Sequence, residues 1–141
     1  MMEFPISPLK GIGDIDFGMK PEEVRVRIRS DPKSFKRSPH SSFPCDYFES
    51  EGSFFYYDAD GRLEAAEFAA PAQPTIENFS LLGLGLDVAT AILSRLDPGV
   101  EREGDGAIAY QLGISIYAPL AKDDPSAPVE SVLAFRSGYY D

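Results

Sequence analysis

The sequence has no tryptophan, a single cysteine and a single histidine among its 141 residues. One cysteine excludes an internal disulfide and a zinc site built from cysteines, and it is typical of a reducing compartment. No stretch approaches the roughly 20 apolar residues that a membrane-spanning helix needs. The segment Met1–Pro5 lacks the basic start and apolar core of a signal peptide. We therefore expect a cytoplasmic protein that does not associate with membranes.

Basic residues are scarce outside the first quarter of the chain. Residues 1–37 carry eight lysines and arginines against six acidic residues, whereas residues 38–141 carry five against seventeen, and the net charge is −10. A surface of this charge repels the phosphates of nucleic acids and the headgroups of anionic lipids. It attracts basic proteins, although the same charge also serves solubility. We expect no nucleic-acid partner.

Two segments of the chain resemble each other at a distance of 65 residues. The first is Phe17–Val24 (FGMKPEEV) and the second is Leu82–Ala89 (LGLGLDVA). Proline and two glutamates in the first segment are typical of a helix start and predict a helix over about 21–30. In the second segment Asp87 is the predicted N-cap of a helix that ends near Leu96.

The first of these helices has an alternative. Residues 24–29 (VRVRIR) alternate apolar and basic side chains with a period of two, which is typical of a strand with one arginine-lined face. Such a face would restore nucleic acid as a partner. The helix is favoured because start and stop signals frame it, and because Val24 and Ile28 are spaced to stack on one helical face.

Strands are predicted after each helix. Residues 54–58 and 62–68 flank the turn Ala59–Gly61 and predict a β-hairpin. Residues 110–117 alternate and predict a half-buried strand, and 129–136 predict the last strand. Residues 33–44 are expected to form an irregular loop, 69–75 a proline-rich linker and 119–128 an acidic loop.

The sequence therefore predicts a single α+β domain over residues 1–141. We expect a tandem repeat of a helix followed by antiparallel strands, with the strands forming one mainly antiparallel sheet and the helices packed on one of its faces. The first pseudo-repeat spans about 11–70 and the second about 76–141, with the linker between them. Chance similarity of two amphipathic units is the alternative.

Candidate catalytic and metal-binding groups are few. Cys45 and His40 could act as nucleophile and base, but no third group that would orient them is evident. Asp58, Asp60 and Gly61 resemble the start of a calcium loop, yet the required glycine and glutamate are missing further on. Paired carboxylates are so abundant that some pairs must be solvated surface. We expect no enzymatic activity, no metal and no cofactor.

Aromatic residues are the one enrichment that indicates binding, because tyrosine covers apolar surface while it keeps a polar end. The alternative for each of them is that it packs within or between strands. Combined with acidic neighbours, they define the following candidate partner-binding residues: Asp46, Tyr47, Glu49, Glu51, Asp58, Asp60, Glu64, Asp123, Asp124, Tyr139 and Tyr140.

Three segments carry a resemblance to a known family: Gly11–Val24, Tyr56–Glu64 and Gly138–Asp141. They resemble small bacterial cytoplasmic proteins that include predicted immunity proteins of polymorphic toxin systems. The order of helix and strands is similar to the β-lactamase inhibitor protein architecture, which implies a sheet that grips a protein. These segments are structural signatures, so the resemblance assigns no functional residue. The secreted inhibitors also have disulfides, which this chain cannot form.

The resemblance and the charge together predict the function. We expect a non-enzymatic binding protein, most plausibly an immunity protein that neutralises a cognate toxin by direct contact. A basic nuclease domain is the expected toxin, because nucleases that bind phosphates are commonly basic and would be steered towards an acidic partner. The alternative is a small-ligand-binding or regulatory domain.

Overall fold

The computed structural model describes residues 3–41 and 43–140. It has two helices, α1 (Pro21–Ile28) and α2 (Leu86–Leu96), and a short 3-10 helix at Glu49–Glu51. The strands are, in chain order, β1 (Glu3–Ser7), β2 (Gly11–Ile12), β3 (Ile15–Asp16), β4 (Lys33–Phe35), β5 (Cys45–Phe48), β6 (Ser53–Tyr57), β7 (Leu63–Phe68), β8 (Gln73–Ile76), β9 (Phe79–Ser80), β10 (Glu101–Glu103), β11 (Gly106–Ala109), β12 (Ile114–Tyr117) and β13 (Ser131–Phe135).

The strands form two sheets. The large sheet has eight strands in the order β10-β11-β12-β13-β7-β6-β5-β4, and all neighbours in it are antiparallel. The small sheet has five strands in the order β3-β2-β1-β8-β9, and its β1 and β8 are parallel. In the described part of the chain, no helix is long and apolar enough to cross a membrane.

The predicted fold class is wrong. The protein is mostly β, with 37% strand and 16% helix, whereas a helix-then-strand repeat with helices covering one face of a single sheet was expected. The difference lies in the small sheet, which is built from residues 3–16 and 73–80. Three of its strands, β2, β3 and β9, are only two residues long. The other two, β1 and β8, contain Pro5 and Pro74, and proline is depleted in strands. The division into pseudo-repeats stays a prediction.

Several local predictions are confirmed. The hairpin of β6 and β7 lies where it was expected, and helix α1 excludes the alternative strand at 24–29. Helix α2 also lies at the predicted place, but its N-cap is Gly85 rather than Asp87. The carboxylate of Asp87 instead accepts a hydrogen bond from the backbone N–H of Val88 (2.8 Å).

Three predicted segments differ from the structure. The loop over 33–44 begins with edge strand β4, and the linker over 69–75 ends in strand β8. Proline did not prevent this, because Pro74 contributes a carbonyl that accepts a hydrogen bond from Leu81 N (3.2 Å). The strand expected over 110–117 is a turn followed by β12, since Gly113 adopts a left-handed conformation with φ of 65°.

Four residues that the predictions concern lie outside the described part of the chain: Met1 and Met2 of the segment compared with a signal peptide, Ser42 of the expected loop, and Asp141 of the second pseudo-repeat.

The hydrophobic core lies between the two sheets. The large sheet contributes Phe55 and Phe68, and the small sheet contributes Phe4, whose ring lies 4.6 Å from that of Phe68. Helix α1 adds Val24 and Ile28, which are four residues apart and therefore share one face of the helix. The main core thus lies on one face of the large sheet, and Cys45, Tyr56, Ala65 and Phe135 form a smaller buried cluster on the other face.

A buried carboxylate attaches helix α1 to the large sheet. Asp46 on β5 is fully buried, and the guanidinium of Arg25 donates two hydrogen bonds to it at 2.8 and 2.9 Å. Its oxygens also accept hydrogen bonds from Ser34 Oγ (2.7 Å) and Tyr57 Oη (3.1 Å). Full pairing of this kind is what makes a buried charge tolerable.

Helix α2 is attached in a comparable way. Asp97 follows the helix and is 1% exposed. One of its carboxylate oxygens accepts a hydrogen bond from Gly99 N (2.8 Å) and the other from Gln111 N (3.0 Å). The second bond joins the end of the helix to the turn between β11 and β12.

We expect Asp46→Ala to lower the free energy of unfolding by about 3 kcal/mol, because it leaves the other members of the network without an acceptor. Glu49→Gln is the matched control, since Glu49 follows the same strand but pairs with Lys33 in solvent (2.9 Å). Urea unfolding at pH 7 measures both, and the control should leave the free energy of unfolding unchanged. Equal losses for the two variants would contradict the structural role of Asp46.

We expect Gly113→Ala to destabilise the protein more than Gly18→Ala. Both glycines have positive φ, 65° and 97°, so alanine adds a cost of about 1–2 kcal/mol at either site. At Gly113 the new methyl group would also overlap the carbonyl oxygen of Phe135, whereas nothing lies within 4 Å of it at Gly18. Urea unfolding should therefore show that Gly113→Ala lowers the free energy of unfolding by about 1–3 kcal/mol more than Gly18→Ala does. Equal free energies of unfolding for the two variants would contradict this prediction.

Candidate functional site

The candidate site is the face of the large sheet that points away from the core. We call it the open face, although the segment around Arg37 and the residues after β13 cover part of it and bury a cluster of four side chains: Cys45, Tyr56, Ala65 and Phe135. Strand register defines a row of side chains that crosses all eight strands on this face. From one edge to the other the row consists of Lys33, Tyr47, Phe54, Glu67, Leu133, Ser115, Ile108 and Glu101.

Apolar and aromatic side chains in and beside this row are accessible. Phe35 on β4 is 44% exposed and Tyr117 on β12 is 47% exposed, although both lie within strands. Leu133 and Ile108 in the row are half-buried. The exposed aromatic side chains thus lie towards the two edges of the face, while Cys45, Tyr56, Ala65 and Phe135 between them are buried.

The aromatic rings at the β4 side of the open face contact one another. The ring of Tyr47 stacks on that of Phe54 with centroids 4.3 Å apart. Phe35 contacts Phe54 edge to face at 6.4 Å, and Tyr56 lies parallel to Phe54 at 6.3 Å. Such pairs restrict the rings, so that less conformational entropy is lost if another molecule binds to them.

A carboxylate lies at the centre of the open face. Glu67 accepts a hydrogen bond from Tyr56 Oη (2.7 Å) with one oxygen and from Ser131 Oγ (2.8 Å) with the other. Burial, and then Glu67, raise the pKa of the Tyr56 hydroxyl far above its usual range, so the phenol remains a donor. The carboxylate is thereby held in one orientation.

A cation also lies on this face. The guanidinium of Arg37 is 3.9 Å from the centroid of the Tyr56 ring, within the range of a cation–π contact. Beside them is Cys45, whose thiol has a raised pKa because of burial, although Arg37 opposes the shift. The thiol is therefore protonated at neutral pH, which is the unreactive form.

Cys45 and His40, the candidate nucleophile and base, line one pocket of about 270 Å³ with Arg37, Phe43, Asp58 and Glu64. The imidazole is exposed on the loop, whereas the thiol is 1% exposed. No hydrogen bond joins the two side chains in the described part of the structure. In that part there is also no group of three His, Cys, Asp or Glu side chains that could hold a metal ion.

The structure separates the acidic residues that the sequence analysis selected. Asp46 belongs to the buried network, so its side chain does not reach the surface. Glu49 lies exposed at the β4 edge, and Glu51 is half-buried with its Oε2 atom unpartnered. Asp123 and Asp124 lie in the exposed loop that contacts the start of α2, because Pro125 O accepts a hydrogen bond from Asp87 N (3.0 Å).

The predicted residues around the first hairpin form a third location. Asp60 is exposed in the β6–β7 turn, and Asp58 accepts hydrogen bonds there from the N–H groups of Asp60 (2.9 Å) and Arg62 (3.0 Å). Arg136 donates to Asp58 at 2.9 Å and lies 3.7 Å from Glu64. These ion pairs connect the turn to the residue after β13.

Of the predicted residues, Tyr47, Tyr139 and Tyr140 lie at the open face. Tyr139 stacks on Phe135 of β13 with centroids 5.7 Å apart, and Tyr140 meets the same ring edge to face at 4.9 Å. The sequence analysis missed Phe35, Phe54, Tyr117, Leu133 and Ile108. For Phe54, Ile108, Tyr117 and Leu133 a signal exists in the period-two pattern, because each alternates with buried neighbours. Phe35 lies in the exposed strand β4 and has no such signal.

Asp58 provides a pH-dependent test of its ion pair. Backbone N–H groups and Arg136 outweigh burial and lower the pKa of its carboxyl from 3.8. Ionised Asp58 therefore stabilises the folded protein above about pH 4, and this stabilisation is lost as the pH falls through the lowered pKa. In urea unfolding, Asp58→Asn should lower the free energy of unfolding by about 1 kcal/mol at pH 7 and by less at pH 3. A loss that is equal at both pH values would contradict the ion pair.

The fold and the site define a mostly β protein of two sheets with an exposed aromatic face on the larger one. No protein-family model, no curated protein and no solved structure matches the chain.

Proposed function

We propose that the protein is a non-enzymatic binding protein that holds a basic protein partner against the open face. The observation that carries this proposal is the row of side chains across eight strands, in which accessible aromatic and aliphatic groups surround the oriented carboxylate of Glu67. Tyrosine and phenylalanine of this kind are the residues that supply binding energy in protein interfaces.

Shape supports a protein rather than a small molecule as the partner. The eight strands of the large sheet, at about 4.8 Å spacing, span roughly 34 Å. A small ligand would instead need a concave pocket. The side chains of the row are spread over the whole width of the sheet.

Charge supports a basic partner. The chain carries a net charge of −10, and at the β10 edge of the open face Glu101 and Glu103 are exposed. By strand alternation Arg102 lies on the opposite side of β10 and does not neutralise them. At the other edge the charge of Lys33 is balanced by Glu49. Complementary charge increases the association rate and selects against acidic partners.

The resemblance to predicted immunity proteins makes a toxin the partner class that we propose, with a basic nuclease domain as the first candidate. In this proposal the protein acts in the cytoplasm, requires no cofactor and neutralises the toxin by covering it. Asp46 and Asp58 have a structural role, because neighbouring donors within the protein engage their oxygens.

The experiment is co-expression of the tagged protein with the product of the neighbouring reading frame, followed by purification and measurement of the dissociation constant. We expect a one-to-one complex whose affinity falls at least about ten-fold in Tyr117→Ser and in Phe35→Ser, the loss typical of an interface hot spot. Association should slow with added salt, because steering by charge is screened.

Phe79→Ser is the matched control. Phe79 is 45% exposed, like Phe35, but it lies on strand β9 of the small sheet. Its substitution should leave the affinity unchanged. If Phe79→Ser weakens the complex and the open-face variants leave it unchanged, the proposed surface is wrong. If the neighbouring product does not bind, the immunity role is wrong, and if the open-face variants break a homodimer, the occupant is a second copy of the chain.

A further inference from the structure

A second row of side chains crosses part of the open face, beside the row described above. It runs over the adjacent strands from β4 to β13 and consists of Phe35, Cys45, Tyr56, Ala65 and Phe135. These side chains are all apolar or aromatic, and the row contains no charged group. The second row is therefore the most apolar strip on this face of the sheet.

Most of the second row is covered by the chain itself. Phe35 at the sheet edge is 44% exposed, whereas the other four side chains are between 0% and 8% exposed. Two segments outside the strands lie over them: residues 36–41, which follow β4, and residues 137–140, which follow β13. We call these two segments the strap.

Arg37 joins the two segments of the strap. Its guanidinium lies 3.9 Å from the centroid of the Tyr56 ring and donates a hydrogen bond to the hydroxyl of Tyr139. The ring of Tyr139 in turn stacks on that of Phe135, with centroids 5.7 Å apart. One side chain of the first segment thus contacts both the sheet and the second segment.

Few other hydrogen bonds hold the strap in place. Among the described residues, the other hydrogen bonds of 36–41 stay within that segment, from His40 N to Ser38 Oγ (3.3 Å), from Ser41 N to Ser38 O (3.1 Å) and between the two serine hydroxyls (3.4 Å). In residues 137–140, the backbone hydrogen bond runs from Tyr139 N to Arg136 O (3.2 Å). Segments with few bonds to the rest of a protein open locally, without global unfolding.

We propose that the strap opens reversibly and that Arg37 holds it shut over the second row. When it opens, Cys45, Tyr56 and Phe135 join the accessible side chains of the open face, and a partner can contact both rows. The inference rests on the proposed function only for this use of the uncovered row. A partner that needs the second row binds the open state alone, so the closed strap lowers its affinity.

Cys45 reports on the opening, because it is the only cysteine of the chain and is 1% exposed. The free protein is treated with N-ethylmaleimide at pH 7, and mass spectrometry follows the rate of labelling. We expect Arg37→Ala to react about five- to thirty-fold faster than the unaltered protein, because it loses a cation–π contact and a hydrogen bond. Burial raises the pKa of the thiol and the charge of Arg37 opposes this, so loss of that charge alone would slow the reaction.

Two further variants assign the effect to the contact that Arg37 makes. Lys36→Ala is the matched control, since it removes the neighbouring, exposed cation, and it should leave the labelling rate unchanged. Tyr139→Phe keeps the ring that stacks on Phe135 but removes the hydroxyl, and it should speed labelling by about two- to ten-fold. Added to Arg37→Ala, it should have no further effect, because the two residues share that hydrogen bond.

Urea distinguishes opening of the strap from global unfolding. Local opening exposes little surface, so the labelling rate should hardly change up to about 1 M urea, whereas labelling through global unfolding increases with the full urea dependence of unfolding. Equal labelling rates of Arg37→Ala and the unaltered protein, an equal increase in Lys36→Ala, or the full urea dependence in every variant would overturn the strap.

Partner binding is a separate measurement on the co-expressed complex. Arg37→Ala should bind the partner more tightly than Lys36→Ala, which has the same net charge, and by a factor no larger than its increase in labelling. Equal or weaker binding would overturn the use of the second row. If no partner binds, the proposed function is wrong, whereas the labelling of the free protein still decides whether Arg37 holds the strap shut.

Discussion

The antiparallel pairing of β7 with β13 joins the strands that follow α1 to those that follow α2. In this pair Ala66 opposes Ala134 on the core side, and Glu67 opposes Leu133 on the open face. Side chains alternate along a strand, so a register that commits one set to the core turns the other set outward. The row across the sheet and the surface that we propose for binding both follow from this constraint, which extends through every strand pair of the large sheet.

Buried carboxylates explain how an acidic chain keeps its helices attached. Asp46 joins α1 to three strands of the large sheet, and Asp97 joins the end of α2 to the turn before β12. Both carboxylates are satisfied by hydrogen bonds, as a charged group removed from water must be. Acidic residues therefore have two roles here, and only those outside these networks contribute to the surface that a partner would meet.

Several side chains of the open face, the surface that we propose for binding, are held in place by their neighbours, and in protein interfaces a few anchored side chains supply most of the binding energy. Tyr47 and Phe54 are restricted by stacking, Glu67 is oriented by two hydroxyl groups, and the terminal tyrosines are packed on Phe135. Ordering before binding reduces the entropy that is lost in the complex. The surface thus combines accessible apolar area with few free rotations.

The sequence by itself determined the two helices and the β6–β7 hairpin, because proline, glycine and aspartate impose local backbone preferences that act within a few residues. It also selected Tyr47, Tyr139 and Tyr140 as candidate binding residues by their chemistry, and their role in binding stays a prediction. Only the tertiary structure decided that residues 3–16 and 73–80 form a second sheet and that Asp46 is buried. It also decided that Phe35 and Tyr117 lie on the same face of the large sheet as Tyr47. The physical reason is that strand pairing joins residues far apart in the chain, and a short strand has no stable local structure until its partner is in place.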